Sequence, residues 1–210
     1  FLPFGLGKGK EAEIVISTNT LEDFKSELKP LDYDYESSYL ESKYLVLDKT
    51  FNRIKTFKLY DESMELFERV CNAYEHFVKD RSVWDRKLSH GDLCLSNILW
   101  IDEINLIKFI DPRGAKKEED IYMDEYYDMA KLAHSVINGY DNILLRKNFY
   151  SKEMSDVLIK FFKKNEISID LLSVYQASLF LSMAPLHVDS GNRVALFMNK
   201  CDKILSSIGY

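Results

Sequence analysis

The chain has 210 residues, a formal net charge of −6 at pH 7 and a hydrophobic share of 46%, with thirteen Phe and thirteen Tyr. That length suits one large domain, or a domain with an accessory piece, around an aromatic-rich core. The acidic balance argues against a nucleic-acid partner, and no membrane span or signal peptide is expected.

Cys71, Cys94 and Cys201 are scattered and form neither a disulfide framework nor a CxxC knuckle, which fits a reduced, cytoplasmic protein. The chain begins at FLPF without Met and reads as a fragment or a trimmed product.

Residues 1–19 open with alternating Gly5, Gly7 and Gly9 beside Lys8 and Lys10. The run from Gly5 to Lys10 is one residue short of a Walker A loop, and Glu11 stands where Ser or Thr is needed. This opening is expected to be a flexible lead-in, with a short strand over 13–17. Thr20 is placed to cap a short helix carrying Phe24 and Leu28 and closed by Pro30. Residues 31–38 are acidic and polar and are expected to be loop.

From Tyr39 a helical period returns, with Tyr44, Leu47, Phe51, Ile54 and Phe57 three or four apart. Asp61 is the expected cap of the next helix, whose apolar stripe is Met64, Phe67, Val70, Tyr74 and Phe77. Residues 98–101 and 106–110 are strand candidates joined by a hairpin-length turn. After the charged run 115–120, a helix is expected from about Asp124, with Met129, Leu132, Ala133, Val136 and Ile137 inward. Ser151 can cap a helix carrying Met154, Leu158, Phe161 and Phe162. Asp170 can cap the apolar run that stops at Pro185. Asp189 or Ser190 begins a last helix with Val194, Phe197, Cys201 and Ile204 inward. The expected fold class is α+β, mainly helical, with a small central β element.

Residues 89–114 concentrate polar groups between apolar walls. His90, Asp92 and Asn97 lie before the first strand, and Asp111 lies at the exit of the second. Antiparallel pairing returns the chain, so Asn97 and Asp111 are expected at one end of the ribbon. Their oxygens suit Mg²⁺, which prefers hard ligands and phosphate oxygens. Asp92 would then be free to orient a hydroxyl and accept its proton. The order H-G-D-x-x-x-x-N followed by a strand and I-D-P-R-G is that of the catalytic and metal loops of kinase-like phosphotransferases.

The sequence resembles the aminoglycoside phosphotransferase and choline kinase group, most closely bacterial members associated with capsule or surface-polysaccharide genes. HGDLCLSNIL and IKFIDPRG carry the resemblance, and DEYYDMAKLAHS over 124–135 is similar to the element that braces the catalytic loop. KTFNRI over 49–54 and MAPLH over 183–187 look like segments of the capsule-linked members.

The resemblance implies residues 42–210 as the C-terminal, large lobe of the protein-kinase-like fold with a central catalytic β-hairpin, and 1–41 as a lead-in or remnant. It implies a transfer of the γ-phosphate of ATP, or of another nucleoside triphosphate, to a small-molecule or sugar acceptor. Asp92 would be the base, Asn97 and Asp111 would hold Mg²⁺, and His90 would support the loop. Asp128 would brace that loop. Arg113 would contact phosphate or pair with an acidic side chain, and His187 would line an acceptor pocket.

Each residue also has a plainer reading: Asp92 as a turn cap, Asn97 satisfying local backbone, Asp111 ending a strand, His134 as a helix residue and Cys94 as a buried small side chain. The first forty residues are short for a nucleotide-clamping N-terminal lobe and lack a V-A-x-K segment. A missing lobe or fused domain is therefore an expected partner. The alternative is a non-catalytic binding or scaffold module built on the same lobe.

Overall fold

The computed structural model describes residues 14–15, 35–81, 84, 86–101, 104, 106–114, 121–145 and 151–210. The glycine-rich opening, the helix expected over 20–30, most of the hairpin turn and the charged run 115–120 lie outside the described residues.

Helix α1 (Tyr35–Lys43) leads into a π-helical stretch (Tyr44–Asp48), α2 (Lys49–Ile54) and the long α3 (Tyr60–Phe77). Strand β1 is Ile14–Val15 and β2 is Arg86–Leu88; β3 is Ile98–Ile101, β4 is Leu106–Phe109 and β5 is Tyr122–Asp124. The remaining helices are α4 (Glu125–Val136), α5 (Tyr140–Leu145), α6 (Lys152–Lys164), α7 (Ile169–Met183) and α8 (Gly191–Ser207). The fold is thus α+β and mainly helical, as expected.

The core is built around α7. Leu171, Leu172, Val174, Tyr175, Ala177, Leu179, Phe180 and Leu181 are all buried, so apolar side chains cover nearly its whole circumference. A helix apolar on every side must be enclosed by others, and α2, α3, α4 and α8 surround it. The stretch Ile169–His187 is long and apolar enough to cross a membrane by length and composition, contrary to the sequence expectation, and two-thirds of its most apolar window is buried within the fold. Its apolar surface is therefore accounted for by the helices that enclose it.

Several local expectations are corrected. Residues 35–38 are helical, and Ser38 and Ser42 face inward, so α1 straddles the expected boundary at 42. The stripe expected from Tyr44 to Phe57 is only half buried. Leu47, Ile54 and Phe57 are buried, but Tyr44 and Phe51 are exposed. The wider π turn shifts the register and turns the consecutive Leu45, Val46 and Leu47 inward. Asp61 stands in the first turn of α3 rather than at its cap, and the capping residue of α7 is Ser168, not Asp170. Ser151 and Ser190 cap α6 and α8 as the sequence suggested. In α6, Met154 and Phe161 are exposed while Phe162 is fully buried.

Two small antiparallel sheets position the central loop. One has the order β1–β4–β3, with Ile98 opposite Phe109 and Ile101 opposite Leu106. The other pairs β2 with β5, Arg86 opposite Asp124 and Leu88 opposite Tyr122. Because β2 ends just before the loop and β5 ends at the start of α4, this pairing holds the loop over the first turns of α4.

A buried polar chain anchors that junction. Arg81 donates two hydrogen bonds to Asp124, at 2.7 and 2.8 Å, with both side chains 2% exposed. The Arg81 guanidinium lies between the rings of Trp84 and Tyr126. Asp124 also accepts from Tyr126 N, as the cap of α4, and from the Tyr175 hydroxyl at 2.6 Å. Tyr175 is bonded to Ser42, and Ser42 to Tyr74, so the chain runs from α4 through α7 and α1 to α3.

Candidate active site

The loop over 89–97 is held by one carboxylate beneath it. Asp128, in the first turn of α4, accepts from the Ser89 hydroxyl at 2.7 Å, His90 N at 2.6 Å and Gly91 N at 2.8 Å. These are charge-assisted bonds to consecutive loop residues, and they set the direction of the chain as it reaches Asp92.

Gly91 has φ +74°, and a Cβ placed there would stand 2.7 Å from the Cβ of Arg113. The glycine therefore permits both the left-handed turn and the close passage of the second loop.

His90 ties the two loops together. Its Nε2–H donates to Ile110 O at 2.9 Å, its Nδ1 accepts from Asp92 N at 3.3 Å, and its carbonyl accepts from Arg113 N at 2.8 Å. Both ring nitrogens are thus engaged with the backbone. These bonds tie the imidazole to both loops.

Asp92 stands above the helix with its side chain 43% exposed. Its Oδ1 is paired with Lys131 Nζ at 2.8 Å, and Lys131 is itself 9% exposed. Burial opposes the charged form of the Lys131 amine, but the Tyr127 hydroxyl and the Asp92 carboxylate beside it hold it above its usual range. Asp92 Oδ2 has only a long contact with Asn97 Nδ2, at 3.4 Å. The same Nδ2 donates at 2.9 Å to the Asp92 carbonyl. That bond fixes the amide with its nitrogen toward Asp92 and leaves its oxygen without a hydrogen bond among the described residues.

The hairpin register then brings in the fourth residue. Ile110 N donates to Asn97 O at 3.0 Å, so the chain leaves β4 beside Asn97 and reaches Asp111 one residue later. Asp111 is exposed and adopts φ +55°, a left-handed conformation unusual for a residue with a side chain but tolerated by Asp. An available amide oxygen and an exposed carboxylate form a hard oxygen donor set. Such a set fits a Mg²⁺ ion that draws its other ligands from water and phosphate. No group of three or more His, Cys, Asp or Glu side chains suited to a metal occurs among the described residues.

The structure adds residues that the motif reading passed over. Lys131 is the closest partner of Asp92. It lies in the segment over 124–135 that resembles the loop-bracing element, but that resemblance gave it no role of its own. Ser135 Oγ accepts from Leu95 N at 2.9 Å and donates to Asp141, which also accepts from Ser96 N at 3.3 Å. These two residues secure the far end of the loop.

Lys49 of α2 donates to the Tyr127 hydroxyl, and Arg53, one turn on, donates to Ser182 O and Oγ at 3.3 Å each. Burial, with Arg113, Lys131 and Arg53 nearby, pushes the Lys49 amine down to about 7. Arg113 has an exposed side chain in no ion pair among the described residues, so the expected pairing with a neighbouring acid is not formed.

Other candidates lie apart. His187 packs on the Phe197 ring at 5.2 Å, near the start of α8, and its short turn, Ala184–His187, contacts α2. His134 is fully buried between Tyr140 and Phe180, and burial keeps its imidazole well below its usual pKa. Cys94 is buried with Sγ 3.2 Å from Ser96 Oγ, and burial raises its thiol. Cys71 and Cys201 are also free. A cavity of about 420 Å³ lined by Asn142, Ser190 and Arg193 contains no residue of the loop; the partly exposed Asp92 and the exposed Asp111 stand instead on a surface shelf.

Searches of protein-family models, of curated proteins and of solved structures find no match to this chain.

Proposed function

We propose that this chain is the large lobe of a kinase-like phosphotransferase, similar to the aminoglycoside phosphotransferase and choline kinase group. In this reading it moves the γ-phosphate of ATP, or another nucleoside triphosphate, to a hydroxyl of a small molecule or sugar. The observation that supports it most directly is the pairing of Asp92 with Asn97. The amide nitrogen is spent on the Asp92 carbonyl, and the amide oxygen is left toward the hairpin end where Asp111 emerges.

Asp92 Oδ1 is anchored by Lys131, which leaves Oδ2 to align a hydroxyl and take its proton. The new bond forms between the acceptor oxygen and the γ-phosphorus. The bond from that phosphorus to the bridging oxygen breaks, and the nucleoside diphosphate leaves with the electron pair. Mg²⁺ bound through Asn97 and Asp111 would neutralise phosphate charge. Asp128, His90 and Gly91 act by keeping the loop in register.

A non-catalytic binding module is the second reading. It is favoured by the Lys131 contact, which already occupies one oxygen of the proposed base. Phosphate transfer by the full-length gene product, assayed over sugar and amino-alcohol acceptors, separates the two. Asp92→Asn is expected to lower turnover by about a hundredfold or more. Unchanged turnover in that variant rules out Asp92 as the base. Saturable nucleotide binding with no transfer to any acceptor favours the binding module.

A further inference from the structure

Two basic side chains near Asp92 are satisfied only by neutral groups. Lys49 and Arg53 stand one turn apart on α2, and their hydrogen-bond partners are neutral: the Tyr127 hydroxyl, Ser182 O and Ser182 Oγ. Lys131 follows Tyr127 by one turn on α4 and takes Asp92 Oδ1. Arg113 extends from the second loop beside Gly91.

Among the described residues, Lys49, Arg53 and Arg113 have no ion pair. The charges acting on Lys49 are three cations, Arg113, Lys131 and Arg53, opposed by Asp92. Partly buried cations that repel one another, with only neutral oxygens as partners, are stabilised by a ligand that brings negative charge.

We propose that the acceptor carries an oxyanion, a phosphate monoester or a carboxylate, which Lys49, Arg53 and Arg113 hold while its hydroxyl faces Asp92. The inference rests on the phosphotransferase reading and names its substrate class. An amino alcohol or aminoglycoside would meet like charge on this shelf. A sugar phosphate or sugar acid meets two side chains of α2 and a guanidinium able to bind an oxyanion in bidentate fashion. The poise of Lys49 near neutrality adds a signature, because binding an anion favours its charged form and draws a proton from solution.

The test is calorimetric titration of the full-length protein with glucose 6-phosphate, glycerol 3-phosphate and glucuronate, against glucose, glycerol and choline. The acidic ligands are expected to bind about tenfold or more tighter than their neutral counterparts, and choline not to bind. Binding of the phosphate esters alone, or of glucuronate alone, identifies which oxyanion is used, and either supports the proposal.

Lys49→Met and Arg53→Met are each expected to weaken acidic ligands by about tenfold, while Lys49→Arg and Arg53→Lys retain most of the affinity and show that the charge is what matters. Near pH 7.5, heats compared in two buffers are expected to show proton uptake, absent in Lys49→Met. Equal affinity for glucose 6-phosphate and glucose overturns the proposal. So does undiminished affinity in both methionine variants. Displacement of glucose 6-phosphate by ATP also overturns it, because the cluster would then belong to the donor.

The underlying reading fails separately. Acid binding without Asp92-dependent transfer refutes phosphotransfer and leaves the oxyanion site standing. Transfer to neutral sugars with no preference for acids does the reverse.

Discussion

Asp128→Asn tests whether one carboxylate holds the loop. In the native chain Oδ2 accepts from Ser89 Oγ and His90 N, and Oδ1 accepts from Gly91 N, which is buried. An amide can present only one oxygen. The better orientation keeps it on the two-donor side and turns the NH₂ group against the Gly91 N–H. That leaves a buried donor unsatisfied, at about 1–3 kcal/mol, and reduces the other two bonds from charged to neutral, at about 1 kcal/mol each.

The expected loss is therefore about 3–5 kcal/mol in urea unfolding, reduced where the loop relaxes and water reaches Gly91. Ser89→Ala removes one charged bond and is expected to cost about 1.5–2 kcal/mol. Amide hydrogen exchange should locate the effect, with protection of His90 and Gly91 falling in Asp128→Asn before that of α7. Stability within about 0.5 kcal/mol of wild type, together with unchanged exchange at His90 and Gly91, would refute the reasoning.

Further predictions concern packing and charge. Gly91→Ala is expected to destabilise by about 2–3 kcal/mol in thermal unfolding, from left-handed backbone strain and the 2.7 Å approach to Arg113; a neutral effect would show that the second loop does not press on Gly91. Arg81→Met leaves Asp124 uncompensated in a site 2% exposed and is expected to cost about 3–5 kcal/mol in urea unfolding. Adding Asp124→Asn should recover part of this, and simple additivity would refute the coupling.

Stability should also pass through a minimum near pH 7. Burial raises the Glu41 carboxyl to about 7, so its contribution is complete below pH 4.5 and is lost as pH rises through 7, on the order of 3 kcal/mol. Lys49, depressed to about 7, has the opposite sign: its contribution is present above pH 10.5 and is lost as pH falls through 7. Glu41→Gln should flatten the acid side of a pH series of urea midpoints and Lys49→Met the alkaline side. A profile that only rises across pH 5–10 would contradict the Glu41 assignment, and one that only falls would contradict the Lys49 assignment.

Much of the candidate site was legible in the chain because it is local. His90, Asp92 and Asn97 occupy one short loop, and two apolar segments of strand length return Asp111 to Asn97 by antiparallel pairing alone. Helix starts marked by Ser151 and Ser190 were equally local, since a capping hydroxyl reaches only the first turn.

The misplaced stripe after Tyr39 arose from a π turn, whose extra residue per turn breaks the 3.6-residue period on which the reading relied. The polar inner face of α4 was hidden for a related reason. Lys131, His134 and Ser135 are buried, but periodicity assigns such residues to solvent.

The amino-acid sequence by itself determined the mainly helical class, the hairpin and the order of polar residues along the loop, because these depend on neighbours in the chain. Tertiary structure decided what surrounds them. It carried Lys131 to Asp92 across 39 positions and turned Lys49 and Arg53 toward the same shelf. Residues so far apart are brought together by the packing of α2 and α4 against α7, and no local spacing encodes that contact. The setting of Lys49, Arg53 and Lys131 around the proposed base is therefore a property of the packed helices.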